Sequence, residues 1–142
     1  MKKYRKKKKP KSPKALAKDK AWNAFSRYIR KSYSDDLGYV QCVTCGIQKQ
    51  WTGECMQAGH FIDSRNNTVL FDERIVYPQC YSCNIPKKGN KVSYTIFMNK
   101  LGHSMEEIEE FESLKFKTKK MTTQDFEEVA ETYDAKFNAL TP

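Results

Sequence analysis

The sequence predicts an α+β chain: a small treble-clef zinc core with helices on its N- and C-terminal sides. Three observations predict it. Cysteines pair as CVTC (Cys42, Cys45) and CYSC (Cys80, Cys83), and that spacing lets a tight knuckle turn two thiolates onto one ion. Between the pairs run short β-rich stretches bounded by turn residues. Outside them, apolar residues recur every three or four positions, as on a helix face.

In chain order, residues 1–13 form a basic arm, 14–102 a helix plus the zinc core, and 103–142 acidic C-terminal helices. The first twenty residues hold eleven Lys/Arg and one acid. A stretch such as MKKYRKKKKPKSPK has almost nothing to bury and is expected to be disordered when free. Its partner is expected to be nucleic acid, since each lysine that neutralises a phosphate releases a condensed counterion; Lys6, Lys7, Lys8 and Lys9 carry that expectation.

From Pro13 to Ser34, Leu16, Ala21, Trp22, Phe25, Tyr28 and Ile29 mark a helix that Gly38 stops. YVQCVTCGIQKQW reads as strand, knuckle and strand, ECMQAGHFI as a strand followed by the turn SRNN, and RIVYP as a strand ending at Pro78. Beyond Cys83, NIPKKGNKVSYTIFMNKLG is expected to be helical to Gly102. SMEEIEEFESL opens with Ser104 and Glu107 in capping-box spacing. A last helix from Thr122 aligns Phe126, Val129, Ala130, Tyr133, Phe137 and Leu140 on one face.

Composition narrows the function classes. A chain of 142 residues with 39% apolar content supports one modest core, helped by something else. It shows no secretory leader and no apolar run near ~20 residues, so a soluble, cytoplasmic protein that is not secreted and has no membrane partner is expected. Five cysteines in such a chain argue against a disulfide framework. Thioredoxin-like chemistry lacks its βαβ setting. Cys55 is left over, as a half-buried thiol.

In this layout His60 falls on the second hairpin and Asn84 directly follows the last cysteine, at a helix start. Both are expected to face the groove between hairpin and helix. Gly59-His60-Phe61, Gln79-Cys80-x-x-Cys83-Asn84, Gly89-Asn90 and Tyr94, extended back through CVTCG to LAK…AF…YIR and forward to KLG, span roughly residues 14–102. That composite resembles the phage NinG/Rap recombination endonucleases. Those in turn are similar to HNH, or ββα-metal, nucleases such as the junction-resolving endonuclease VII.

The resemblance implies a metal-dependent endonuclease for branched recombination intermediates (Holliday junctions, D-loops) in phage DNA recombination, acting in the host cytoplasm if phage-encoded. His60 would be the general base, an imidazole with a pKa near ~6.5 being suited to that at cellular pH. Mg²⁺ or Mn²⁺ would stabilise the leaving oxygen, with Asn84 as a ligand. The zinc, closed by four thiolates, would do no chemistry. The pattern departs in two places: Gly59 stands where many HNH sites have an acidic ligand, and Arg74-Ile75 where many have Asn. Asp63, Asp72, Glu73 and Asn90 are candidates for the missing oxygen ligand, Asp63 and Glu73 first; Asn90 reads equally as a local cap.

Lys87, Lys88 and Lys91 lie one turn past Asn84, where phosphate contact is expected; Arg65 and Arg74 on the hairpin are weaker candidates. His103 is expected at the surface or in a cap, and Trp51 and the tyrosines in the core. A symmetric junction needs two cuts, which suits a homodimer. The acidic helices would supply its interface or pack back on their own core. The rivals are a non-catalytic zinc-finger-type module that binds nucleic acid, and a protein-interaction adaptor.

Overall fold

The structure, a computed structural model, describes residues 5–140. Of the basic arm, residues 1–4 therefore lie outside the described residues, while residues 5–12 are exposed and carry no helix or strand.

Helix α1 (Pro13–Ser32) starts where the sequence says it should. Ser12 Oγ accepts from the Ala15 N–H at 3.2 Å, and Pro13 occupies a first-turn position where its missing N–H costs nothing. Its apolar stripe, Ala17, Ala21, Ala24, Phe25 and Ile29, is buried. Most of what it buries against is α6 (Thr123–Asn138), which turns Phe126, Ala130 and Tyr133 inward. The Phe25 and Tyr133 rings meet edge to face at 4.8 Å. The C-terminal helix thus packs back on its own core, the second of the two arrangements open to it. Thr122 and Asp125 close a reciprocal capping box at its start.

Two small antiparallel sheets complete the mixed α+β architecture. Strands β1 (Tyr39–Gln41) and β2 (Gln48–Gln50) pair with Tyr39 opposite Gln50. Between them the chain reverses through Cys42–Gly46, where Gly46 takes φ +82°, a conformation open to glycine at little cost. Strands β3 (Met56–His60) and β4 (Val76–Cys80) pair from Met56 opposite Cys80 to His60 opposite Val76. Their connection holds a short helix α2 (Asn67–Leu70), capped by Asn66, and a 3₁₀ turn at Glu73–Ile75.

Beyond Cys80 the structure departs from a continuous helix. A single turn, α3 (Tyr81–Asn84), ends at Asn84, so Asn84 closes a short helix rather than opening a long one. Pro86 follows at once, and Lys88 and Asn90 adopt left-handed φ of 49° and 47° before α4 (Lys91–Lys100) begins. Pro86 supplies no N–H to continue the ladder, and left-handed residues cannot propagate a right-handed helix. Helix α5 (Met105–Ser113) is capped by Ser104, but only half a capping box forms: the Glu107 carboxylate turns to His103 Nδ1 at 2.9 Å. Cys55 is exposed, not half-buried, because it lies just outside β3.

A cysteine centre beside a groove along the outer edge of β3

The hairpins place Cys42 and Cys45 at one knuckle and Cys80 and Cys83 at the start of α3, and the four sulfurs all lie within 4.8 Å of one another. They can hold a metal such as zinc. A Zn–S bond of about 2.3 Å in a tetrahedron requires sulfur separations near ~3.8 Å, and Cys45 Sγ and Cys80 Sγ stand 3.7 Å apart. The donors are also electrostatically incomplete as a set. Burial raises the Cys42 thiol, but the Thr44 hydroxyl and main-chain N–H groups outweigh it and bring it down to about 6. Cys80 goes the other way, pushed up to about 12, by burial first. Four thiolates in one place need a cation, which a metal such as zinc would supply. Around them Val40, Met56 and the partly buried Trp51 form a small separate apolar cluster. Asn90 Nδ2 lies 3.6 Å from Cys83 Sγ, which favours its reading as a local structural residue.

A groove of about 960 Å³ runs from this centre along the outer edge of β3, and His60, Asp63, Arg65, Asn84, Lys88 and Lys91 all line it. Strand alternation assigns the two central residues to opposite faces of β3. Ala58 and His60 point to α1, where the imidazole stacks on Trp22 with ring centroids 5.1 Å apart. Gln57 points to α3 and accepts from Asn84 Nδ2 at 2.7 Å. The expectation that His60 and Asn84 both face one hairpin–helix cleft is corrected to this extent: they reach a common groove around the strand's edge, from either side of it.

The imidazole is held firmly. His60 Nε2 lies 3.1 Å from the Leu70 carbonyl oxygen, an acceptor, so the neutral ring carries its proton on Nε2 and presents Nδ1 as a base. Burial lowers its pKa below the ordinary 6.5, opposed by the Leu70 bond and helped by Arg65. On Asn84, the bond to Gln57 uses the amide nitrogen and leaves Oδ1 as the atom it can offer a cation.

The absence of an acid at position 59 has a steric cause. A Cβ on Gly59 would sit 2.1 Å from Gln79 Oε1. Gln79 is fully buried, and its amide nitrogen donates to Thr44 Oγ1 at 3.1 Å and to the Gly89 carbonyl at 2.8 Å. That side chain ties the first knuckle to the 85–90 turn and fills the space an acidic ligand would need. Its Oε1 has no hydrogen-bond partner. Tyr94 locks the same region, donating to the Gly59 carbonyl at 2.6 Å and accepting from the Tyr77 N–H at 3.0 Å.

Other expected residues fall elsewhere. Glu73 does not line the groove: its carboxylate accepts from Tyr133 Oη at 3.0 Å and from Lys136 Nζ at 2.9 Å. Helix α6 claims it, which removes it from the candidate ligands. Arg74 is likewise off the groove, forked onto Asp72 at 2.9 and 2.6 Å. Lys91 reaches the groove but is engaged by Glu112 and by the Phe61 carbonyl at 2.6 Å. Lys87 is exposed outside it, and Lys88, Arg65 and Lys115 are exposed bases that line it. Lys6 to Lys9 of the arm are exposed and line no part of it. Sequence reasoning missed Ser26 and Arg30, which join Trp22 as a stripe of α1 along the groove. Their four-residue spacing was the available signal. It also missed Gln57, whose role depends on the register of β3.

Comparison with known proteins places the sequence in a family. A family model described as Bacteriophage Lambda NinG protein matches residues 1–142. The protein ninG of Escherichia phage 933W is 34% identical over 97 residues, 66% of this chain and 43% of that protein. That of Salmonella phage P22 is 30% identical over 124 residues, 84% of this chain and 55% of that protein. That of Escherichia phage lambda is 32% identical over 97 residues, covering 66% and 42%. The chain spans about half the length of the curated relatives it matches. No solved structure matches it. Among the described residues, no helix is long and apolar enough to cross a membrane.

Proposed function

The chain belongs to the NinG family, and on that premise we propose that it is a metal-dependent DNA endonuclease with an HNH-like, treble-clef zinc core. Its substrates are branched recombination intermediates, Holliday junctions and D-loops among them, in the host cytoplasm. One observation carries the reading: the imidazole of His60, fixed by the Leu70 carbonyl with Nδ1 free, lines the same groove as Asn84, the residue after the last cysteine.

His60 Nδ1 takes a proton from water, whose oxygen then attacks the phosphorus in line with the leaving oxygen. The depressed pKa keeps the base unprotonated at cellular pH. Stacking on Trp22 and the bond to Leu70 hold the ring in one orientation, which prepays part of the entropy of reaching the transition state. A divalent ion, Mg²⁺ or Mn²⁺, supplies Lewis-acid stabilisation of the developing charge. Asn84 Oδ1 and the exposed Asp63 carboxylate would be its ligands. Of the other acids lining the groove, Glu112 is paired with Lys91 and Lys115 and Glu54 is exposed, and so few protein oxygens suit an ion retaining several waters. Lys88, Arg65 and the arm lysines Lys6 to Lys9 contact phosphates. Zinc in the cysteine centre shapes the groove and does no chemistry.

A second reading rests on Gln79: with no acid at position 59, the fold could grip DNA as a binding module without cutting it. The test compares wild type with His60→Ala on labelled four-way and linear DNA, with Mg²⁺ and with EDTA. Metal-dependent cleavage that disappears in the variant while binding persists is the expected result. Binding by both proteins and cleavage by neither leaves the module.

A further inference from the structure

We propose that residues 115–120, KFKTKK, form a preorganised strap that holds a single-stranded stretch of DNA beside the groove, with lysines on its phosphates and Phe116 stacked on a base. The inference deepens the DNA-directed reading above and rests on it for the class of ligand.

The backbone of the strap is pinned at alternate residues. Asn66 Nδ2 donates to the Lys115 carbonyl at 2.9 Å, Thr68 Oγ1 to that of Lys117 at 2.7 Å, and Asn67 Nδ2 to that of Lys119 at 3.0 Å. Three adjacent side chains at the start of α2 thus fix a segment that, from Lys117 to the cap of α6, has no regular structure of its own. Ordering a loop on binding costs affinity, and a loop already ordered avoids that cost.

Charge on the strap runs against its surroundings. Residues 103–142 carry ten acids and five bases, and four of those bases are Lys115, Lys117, Lys119 and Lys120. All four are exposed. Lys115 pairs with Glu112 at 3.4 Å, whereas Lys117, Lys119 and Lys120 form no ion pair among the described residues. Phe116 stands between them at 80% exposure, the highest of any large apolar side chain described. An exposed phenylalanine alone is unremarkable. A ring between lysines on a fixed backbone matches the alternation of base and phosphate in an unpaired strand, where stacking on an aromatic face is the usual grip. A duplex keeps its base faces covered and offers the ring nothing. Position adds the last point: Lys115 lines the groove with His60, Asp63 and Arg65, so a strand leaving the groove runs onto the strap.

The test uses the full chain without chelator and without added Mg²⁺ or Mn²⁺, and fluorescence anisotropy, comparing a fork with one single-stranded arm against a fully paired duplex of equal length. Phe116→Ala weakens fork binding about 5-fold or more and leaves the duplex unchanged; Phe116→Trp restores fork binding and Phe116→Leu does not. Lys117→Gln with Lys119→Gln reduces the fork's log–log salt slope by about 1.4, roughly 0.7 for each phosphate left without its lysine. Equal losses on both DNAs, no loss on either, rescue by leucine, or tighter binding of an acidic peptide than of the fork would each overturn the proposal. Because no Mg²⁺ or Mn²⁺ is added, the strap and the nuclease reading fail separately. Fork-specific loss without any cleavage in Mg²⁺ keeps the strap and removes the nuclease; cleavage with no Phe116 effect does the reverse.

Discussion

The two sides of the groove are held together by different means. On one side, α1 and α6 bury Phe25, Ile29, Phe126, Ala130 and Tyr133 in a continuous apolar core that also takes in Tyr94 and Met98. On the other, the β1–β2 hairpin, α3 and the Met56–Cys80 end of the second hairpin contribute little beyond Val40, Met56 and the cysteines. Strand β2 is exposed at all three residues and has no apolar face to bury. Burial stabilises in proportion to the area removed from water, so the helical side has a core of its own and the cysteine side has little besides its four clustered thiols. His60 is anchored to the first side through Trp22, and Asn84 to the second.

The sharpest way to break this contrast is to take the proposed zinc away. Structural zinc in isolated knuckles binds with about 10–16 kcal/mol, which is folding free energy. Chelation, or Cys83→Ser, is therefore expected to abolish amide-exchange protection in β1, β2 and α3 while protection in α1 and α6 persists. If both sides lose protection together, the division is wrong.

A smaller effect sharpens it at the seam. Gly59→Ala drives a Cβ into Gln79 and is expected to cost about 1–3 kcal/mol of stability, as overpacking does. Adding Gln79→Ala should recover part of that loss, because it removes the atom in the way. A double-mutant cycle by urea denaturation with no coupling would contradict the contact.

The smallest effect comes from pH. Burial holds the His60 pKa in the folded chain below its unfolded value, so between those values the unfolded chain binds more protons. Stability contributed by the neutral ring is complete above ~6.5 and declines as pH falls toward the folded value. His60→Gln should flatten that acid-side decline in thermal melts. Cleavage by the wild type should hold its plateau to below ~6.5, since the base stays unprotonated there.

Much of this was legible in the chain itself. The cysteine spacing located the thiol cluster, Pro13 and Thr122 marked two helix starts, and the stripe on α1 faces the core except at Leu16, which is exposed. What stayed hidden depends on contacts between distant segments. Nothing local says that Glu73 belongs to Tyr133 and Lys136, sixty residues away. Nor does it say that Gln79 occupies the space beside Gly59. The helix expected after Cys83 failed for a local reason that periodicity overlooks: Pro86 and two left-handed residues interrupt it. The strap was missed because net charge averaged over residues 103–142 conceals a basic run among acids.

Three rings connect the far helix to the imidazole. Tyr133 meets Phe25 at 4.8 Å, Phe25 meets Trp22 at 5.8 Å, and Trp22 covers His60 at 5.1 Å. Trimming or tagging the chain at its distal end therefore loads an aromatic relay that terminates at the His60 ring. A shortened version that purifies well and melts normally can still have a displaced imidazole, so the proposed cleavage is to be tested on the whole chain.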